Sequence, residues 1–211
     1  MVAGATGLVG REVVAALLAD KTRYARVHTL VRRAPPSQPA RLQAHVVDFA
    51  RLPTLPPIDE AYIALGTTIK VAGSQAAFRA VDLEAVVASA RAAHAAGARR
   101  LGLVSAMGAD ARSSIFYSRI KGEAEVALRA IGFEVLVIAR PSMLAGDRAS
   151  LGQPERIGER LTLPVMGLLR TVIPANYRAV AARDVALSLI EAVQQGRPGC
   201  RVMLSGELQR G

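Results

Sequence analysis

Tyr117 and Lys121 stand four residues apart in a stretch that reads as a helix from about Ser114 to Ala130, so both project from one helical face. Ser105 comes just before that helix, at the end of an apolar run, Arg100 to Val104, that reads as a strand. A hydroxyl, a phenol and an ammonium brought together this way could move a proton at a carbonyl or alcohol oxygen. The phenol gives or takes the proton, and the serine holds the reacting oxygen. A nearby lysine cation favours the phenolate and so lowers a phenol pKa that ordinarily lies at about 10. Tyr-x-x-x-Lys arises by chance in many helices, where it means an aromatic toward the core and a lysine on the surface. Here lysine is scarce: Lys21, Lys70 and Lys121 are the only three among 27 basic residues, which sharpens the signal.

A second group of residues lies at the start of the chain. Met1-Val2-Ala3 runs into glycines at positions 4, 7 and 10, and a helix-compatible run begins at Leu8. This is a strand turning sharply into a helix. Gly4 has no Cβ to obstruct the turn, Gly7 lets a ligand approach the backbone, and Gly10 lets the helix lie close to the sheet. The N–H groups and dipole of the helix start suit a pyrophosphate placed over Thr6, Gly7, Leu8 and Val9. The spacing is one residue wider at its first gap than the common dinucleotide fingerprint.

The elements between these groups alternate. Arg11–Ala19 reads as a helix with Val13, Val14, Leu17 and Leu18 on its apolar face, and Ala25–Val31 as a strand ending in Arg32-Arg33. At that position an acid would take the ribose 2′-OH of NAD, whereas an arginine suits the 2′-phosphate of NADP. A proline-rich loop follows over 34–40, then a strand Leu42–Val47 ending at Asp48, which could meet an adenine edge or cap a turn. The prolines of 51–59 demand irregular chain. Ala61–Leu65 reads as a buried strand, Ser74–Ala96 as one long helix with Phe78, Val81, Val86 and Val87 inward, and Phe133–Ala139 as a continuous apolar strand. Beyond Pro141 the pattern loosens, with apolar patches such as Leu161–Leu169, until a helix at Asp184–Gln194 and a strand at Arg201–Leu204. This rhythm predicts a single α/β domain over 1–211, a doubly wound parallel sheet, with 141–180 as an irregular segment on the substrate side.

Composition narrows the partners. The net charge of +10 comes from scattered arginines in an alanine-rich chain, without a basic arm and with few aromatics, so nucleic acid is not expected. No apolar run reaches the roughly 18 residues of a membrane span. The start has no signal-peptide pattern, and the single cysteine, Cys200, reads as a packing residue, so the expected setting is the cytoplasm. His28, His45 and His94 lack partners at metal-ligand spacing, and no metal is expected.

Together, Gly4-x-x-Gly7-x-x-Gly10, Ser105-x-x-Gly108 and Tyr117-x-x-x-Lys121 resemble the short-chain dehydrogenase/reductase pattern of the Rossmann fold. Several further segments are similar to its atypical branch, which includes the Tat-interacting-protein-type oxidoreductases. These are Leu65-Gly66-Thr67-Thr68, Ala72-Gly73-Ser74, Ala80-Val81-Asp82, Lys121-Gly122-Glu123-Ala124-Glu125, Ala139-Arg140-Pro141 and the run Ile173 to Arg178. The resemblance implies a catalytic set of Ser105, Tyr117 and Lys121 and an NADP cofactor, with NAD the lesser candidate. Cofactor contacts would come from Gly4, Thr6 to Gly10, Arg32, Arg33, Asp48, Leu65, Gly66, Thr67, Lys121, Pro141 and Ser142. The catalytic asparagine of the larger family has no clear equivalent. It implies hydride transfer between nicotinamide and a small carbonyl or alcohol. Some members of the branch bind cofactor as regulators, which keeps a non-catalytic, redox-sensing role with a protein partner, or a homodimer, in view.

Arg32, helped by Arg33, generates the first prediction. Charge-assisted contacts to a 2′-phosphate contribute on the order of 1.5–3 kcal/mol each, so NADP should bind roughly tenfold or more tightly than NAD. Titration calorimetry with both nucleotides tests this. Equal affinities, or a preference for NAD, would refute it.

Overall fold

The computed structural model describes residues 1–145 and 174–210. Seven strands form one sheet, every neighbouring pair parallel: β1 (Val2–Ala3), β2 (Val27–Val31), β3 (Leu42–Val46), β4 (Glu60–Ile63), β5 (Arg100–Val104), β6 (Val135–Arg140) and β9 (Gly199–Leu204). Their order across the sheet is β3-β2-β1-β4-β5-β6-β9. The chain therefore winds outward from β1, then crosses back to β4 and winds the other way. Two short strands, β7 (Leu144–Ala145) and β8 (Val180–Ala181), pair separately. The doubly wound sheet is as the alternation of elements predicts.

Helices cover both faces, which is why the central strands are apolar throughout. On one face α1 (Leu8–Ala19) lies beside α6 (Ala182–Gln195), burying Val9, Val13 and Leu17 with Val185 and Leu189 against the sheet. On the other lie the short α2 (Ile69–Ala72), then α3 (Gln75–Arg79), α4 (Val86–Ala95) and α5 (Phe116–Arg129). Phe78, Val86, Ala90, Ile120 and Leu128 fill that second layer. A last short helix, α7 (Ser205–Leu208), follows β9.

The long helix expected over Ser74–Ala96 differs in its middle. Residues Ala80–Ala85 form a π-helical turn between α3 and α4. This wider turn, of a kind frequent at functional sites, brings Asp82 to full burial and leaves Val81 only half-buried. The inward row is thus Phe78, Asp82 and Val86 rather than one of apolar residues alone. Cys200 also departs from expectation: β9 is an edge strand, and the thiol is exposed rather than packed. The part of the irregular segment at 146–173, including Leu161–Leu169, lies outside the described residues. Among the described residues no helix is long and apolar enough to cross a membrane.

At the amino ends of the strands, Glu60 accepts from Arg23 (2.7 Å), Tyr24 (2.7 Å) and Tyr62 (3.0 Å). Burial pushes this carboxyl up, but those partners outweigh it and hold it below the ordinary carboxylate range. On β2 and β3, His28 Nδ1 and His45 Nε2 approach to 3.0 Å. Burial, and for His28 also the facing His45, lowers both imidazoles below the usual 6.5. Unfolding therefore takes up protons as the pH falls below that value, and stability present above it is lost on acidification. Thermal melts should fall between pH 7.5 and 5, and His45→Gln should flatten that dependence. An unchanged slope in the variant would contradict the assignment.

Candidate functional site

Because every strand of the large sheet points the same way, their carboxyl ends share one edge. In spatial order that edge carries Asp48 after β3, Arg32 and Arg33 after β2, the glycine turn after β1, Leu65–Thr67 after β4, Ser105 after β5 and Pro141-Ser142 after β6. The crossover between β1 and β4 puts the winding reversal beside the glycine turn, where open parallel sheets bind ligands.

The three glycines do different work. Gly4 has φ +85°, and a Cβ there would lie 2.5 Å from the carbonyl of Ala64. A Cβ on Gly10 would lie 2.0 Å from the Gly4 oxygen, so α1 can start this close only without one. Gly7 is different: its φ is −82°, and an added Cβ would meet nothing nearer than the Gly4 oxygen at 3.4 Å. The fold does not need a glycine there, whereas a ligand pressed against the backbone would. Gly7 is also the N-cap of α1 and places no side chain over the helix start, so no side chain caps the N–H groups of its first turn, while the Gly7 N–H itself donates to the Gly4 carbonyl at 3.0 Å. This cradle fits a dinucleotide pyrophosphate.

Arg32 and Arg33 are exposed, and neither forms an ion pair among the described residues. Asp48 caps a turn, its Oδ1 accepting from the Ala50 N–H at 2.9 Å. Ser142 faces the C-terminal region: its hydroxyl donates to the Arg178 carbonyl (2.6 Å) and its N–H to Ser205 Oγ (2.7 Å). Pro141 accepts from the Met107 N–H at 3.0 Å, binding the loop after β5 to the end of β6.

Tyr117, Lys121 and Glu125 follow one another at single turns of α5, and each meets a different partner. The half-buried Tyr117 ring packs on Phe78, centroids 5.6 Å apart. Lys121 Nζ, its side chain 9% exposed, lies 2.7 Å from Oδ1 of Asp82. Asp82 Oδ2 accepts from the Thr67 N–H at 2.9 Å, so one carboxylate ties the loop after β4 to α5. Both charged groups lie beneath Gly66, whose missing Cβ would be 3.4 Å from Asp82 Oδ1 and 3.5 Å from Lys121 Nζ. Ser105 donates its proton inward, to Glu125 at 2.6 Å. Glu125 is fully buried and is gripped at both oxygens by Arg140, at 2.9 and 2.6 Å. Those bonds hold the Arg140 guanidinium above its ordinary value against the effect of burial.

Residues 4–195 match a protein family described as NAD(P)H-binding. The chain belongs to that family. Its curated relatives include the "Protein fmp52, mitochondrial" of Aspergillus fumigatus, 38% identical over 203 residues, covering 92% of this chain and 84% of the relative. The protein of the same name from Emericella nidulans is 36% identical over 155 residues, 69% of this chain and 66% of the relative. Among solved structures the fold is similar to MoeE5 in complex with UDP-glucose and NAD, with TM-score 0.70 at 17% identity, covering 96% of this chain and 74% of the other. It is also similar to a short-chain dehydrogenase/reductase superfamily protein from Agrobacterium tumefaciens with bound NAD, with TM-score 0.68 at 16% identity over 96% and 76% of the two chains. The family resemblance drawn from the motifs therefore holds. The cytoplasmic setting does not: the fungal relatives are designated mitochondrial.

For a member of an NAD(P)H-binding family, the unequal glycines give a test. Gly7→Ala should keep the wild-type melting temperature and lose nucleotide affinity. Gly10→Ala should lose about 1–3 kcal/mol of stability through overpacking. Differential scanning calorimetry and NADPH titration separate the two, and a Gly7→Ala variant that binds normally would refute the cradle.

Proposed function

We propose that the chain is an NADP-dependent oxidoreductase acting on a small carbonyl or alcohol. The observation that carries this reading is the Lys121–Asp82 pair beneath Gly66, one helical turn from Tyr117 at the cleft edge of the sheet. A buried lysine that has to be neutralised by a fully buried aspartate is a costly arrangement for stability alone. It is explained if the ammonium has to stand at one fixed point beside the cofactor. Thr6 to Val9 would hold the pyrophosphate, Arg32 and Arg33 on one side of it the 2′-phosphate, and Leu65 to Thr67 on the other side the stretch leading to the nicotinamide. Asp48 and Pro141 would border the two ends. The bound nicotinamide supplies the hydride chemistry.

Within this reading Tyr117 gives or accepts the proton at the substrate oxygen. Asp82 holds Lys121 in place, and Lys121 in turn steadies the phenol and a ribose hydroxyl. Ser105 takes a changed part. With its proton committed to Glu125, it can offer the cleft only its lone pairs, which suits an alcohol O–H better than a carbonyl oxygen. Ser142 acts on the C-terminal region rather than on the nucleotide, given its bonds to Arg178 and Ser205.

The inward Ser105 proton also favours a second reading, in which the protein binds nucleotide without turnover and a protein partner senses the bound state. A carbonyl panel followed at the NADPH absorbance separates the two. If the chain is an enzyme, Tyr117→Phe keeps the ring on Phe78, so the melting temperature and NADPH affinity should stay near wild type. Turnover should fall about 10²-fold or more, the scale of losing a general acid. An active wild type whose Tyr117→Phe variant keeps full activity would move the proton transfer away from this residue.

A further inference from the structure

Glu125 accepts four hydrogen bonds on its two carboxylate oxygens. Its Oε1 accepts from Ser105 Oγ (2.6 Å) and Arg140 Nε (2.9 Å), and its Oε2 from Arg140 Nη2 (2.6 Å) and Arg129 Nη2 (3.4 Å). It is fully buried. A staple for α5 would not need it, because Ile120, Ala124 and Leu128 already bury that helix in the core. A buried ion pair is also a poor source of net stability compared with apolar side chains of similar volume. What it provides is direction. It joins the residue just after β5, the residue that ends β6 and the helix bearing Tyr117 and Lys121 through bonds with fixed angles. The two strand ends lead directly into Met107 and Pro141, which are bonded to each other at 3.0 Å.

We propose that Glu125 is a positioning residue: its carboxylate sets the stance of the Ser105 end of β5 and the Arg140 end of β6 against α5, and so fixes the walls of the nicotinamide side of the cleft. This rests on the reading that a nicotinamide nucleotide lies at this edge. It goes further in assigning the alignment of that site to a residue that touches neither cofactor nor substrate.

The test separates positioning from stability by replacing the pair with apolar residues. In the double variant Glu125→Met with Arg140→Met, the lost bonds are exchanged for packing, and Arg129 is exposed enough to be solvated. The probe is NADPH, followed by calorimetry and by the emission of its nicotinamide on binding. The variant should melt near wild type and bind NADPH within about threefold, because the glycine turn still holds the phosphates. The emission change that wild type produces should be lost. With any carbonyl that wild type reduces, kcat should fall about 10²-fold while the KM for NADPH stays nearly constant, the mark of misplacement rather than lost binding. A stable double variant with the wild-type emission change would overturn the proposal. If that variant does not fold, Glu125→Gln, which keeps the side-chain shape and weakens its bonds to Ser105 and Arg140, carries the test: a diminished emission change supports the proposal and an unaltered one overturns it. A wild type that binds no NADPH fails differently, since the fault then lies in the cofactor reading itself, and the proposal falls with it.

Discussion

The Gly4 carbonyl stands 2.0 Å from where a Cβ on Gly10 would be, and a Cβ on Gly4 would lie 2.5 Å from the Ala64 carbonyl. These two close approaches set the geometry of the whole carboxyl edge. The first allows α1 to begin directly above the first strand, so its N-terminus points into the crevice. The second brings the turn after β1 against the end of β4, where the winding reverses. With either contact relaxed, the helix start would move away from Leu65–Thr67, and no single ligand could span both. Gly7 lies between them without such a steric demand. Its freedom is the mark of a surface kept clear for something outside the protein.

The substrate end of the same edge depends on charge rather than on missing side chains. Two acids, Asp82 and Glu125, are fully buried, and each is neutralised by a cation at 2.6–2.7 Å. Removing one partner of such a pair strands the other in a low dielectric at a cost of about 3–5 kcal/mol. Both pairs involve α5, one turn apart, and they anchor it in different directions. Asp82 draws Lys121 toward the loop after β4, while Glu125 ties the helix to the ends of β5 and β6. Helix, loop and strand ends are thereby locked to one another around Tyr117. Gly122, wedged between the two anchored turns, lets the loop at Asp110-Ala111 lie directly on the helix, since a Cβ there would be 2.1 Å from the Ala111 nitrogen.

Much of this was legible in the sequence. Alternating apolar strands and helices are dictated by burial on both faces of a parallel sheet, and such periodicity survives small errors at element ends. The glycine turn was readable because the backbone at Gly4 and the close contact at Gly10 admit no side chain. The buried acids were harder. Asp82 sits among apolar helical positions, and nothing in the sequence announces the π turn in which it lies. Glu125 and Arg140 lie 15 residues apart and meet only once the sheet is assembled. A charged residue at a core-facing position, four residues beyond Phe78, and an arginine closing a wholly apolar strand were the available signals. Each called for a buried partner, but neither named it. Ser105 shows the same limit: its place at a strand end was readable, while the direction of its hydroxyl was decided by a carboxylate 20 residues away. Cys200 looked like a packing residue because small apolar side chains usually are; only the strand order puts it on an edge.

The roles of the glycine turn, Lys121 and Tyr117 all depend on where a bound nucleotide lies, and a crystal structure of the wild-type protein with NADP measures that directly. The pyrophosphate should rest over Thr6 to Val9, on the uncapped N–H groups of the first turn of α1, and the nicotinamide ribose should lie within hydrogen-bond distance of Lys121 while Lys121 still contacts Asp82. A nucleotide bound elsewhere on the chain, or one whose nicotinamide end stays clear of Lys121 and Tyr117, would contradict those roles.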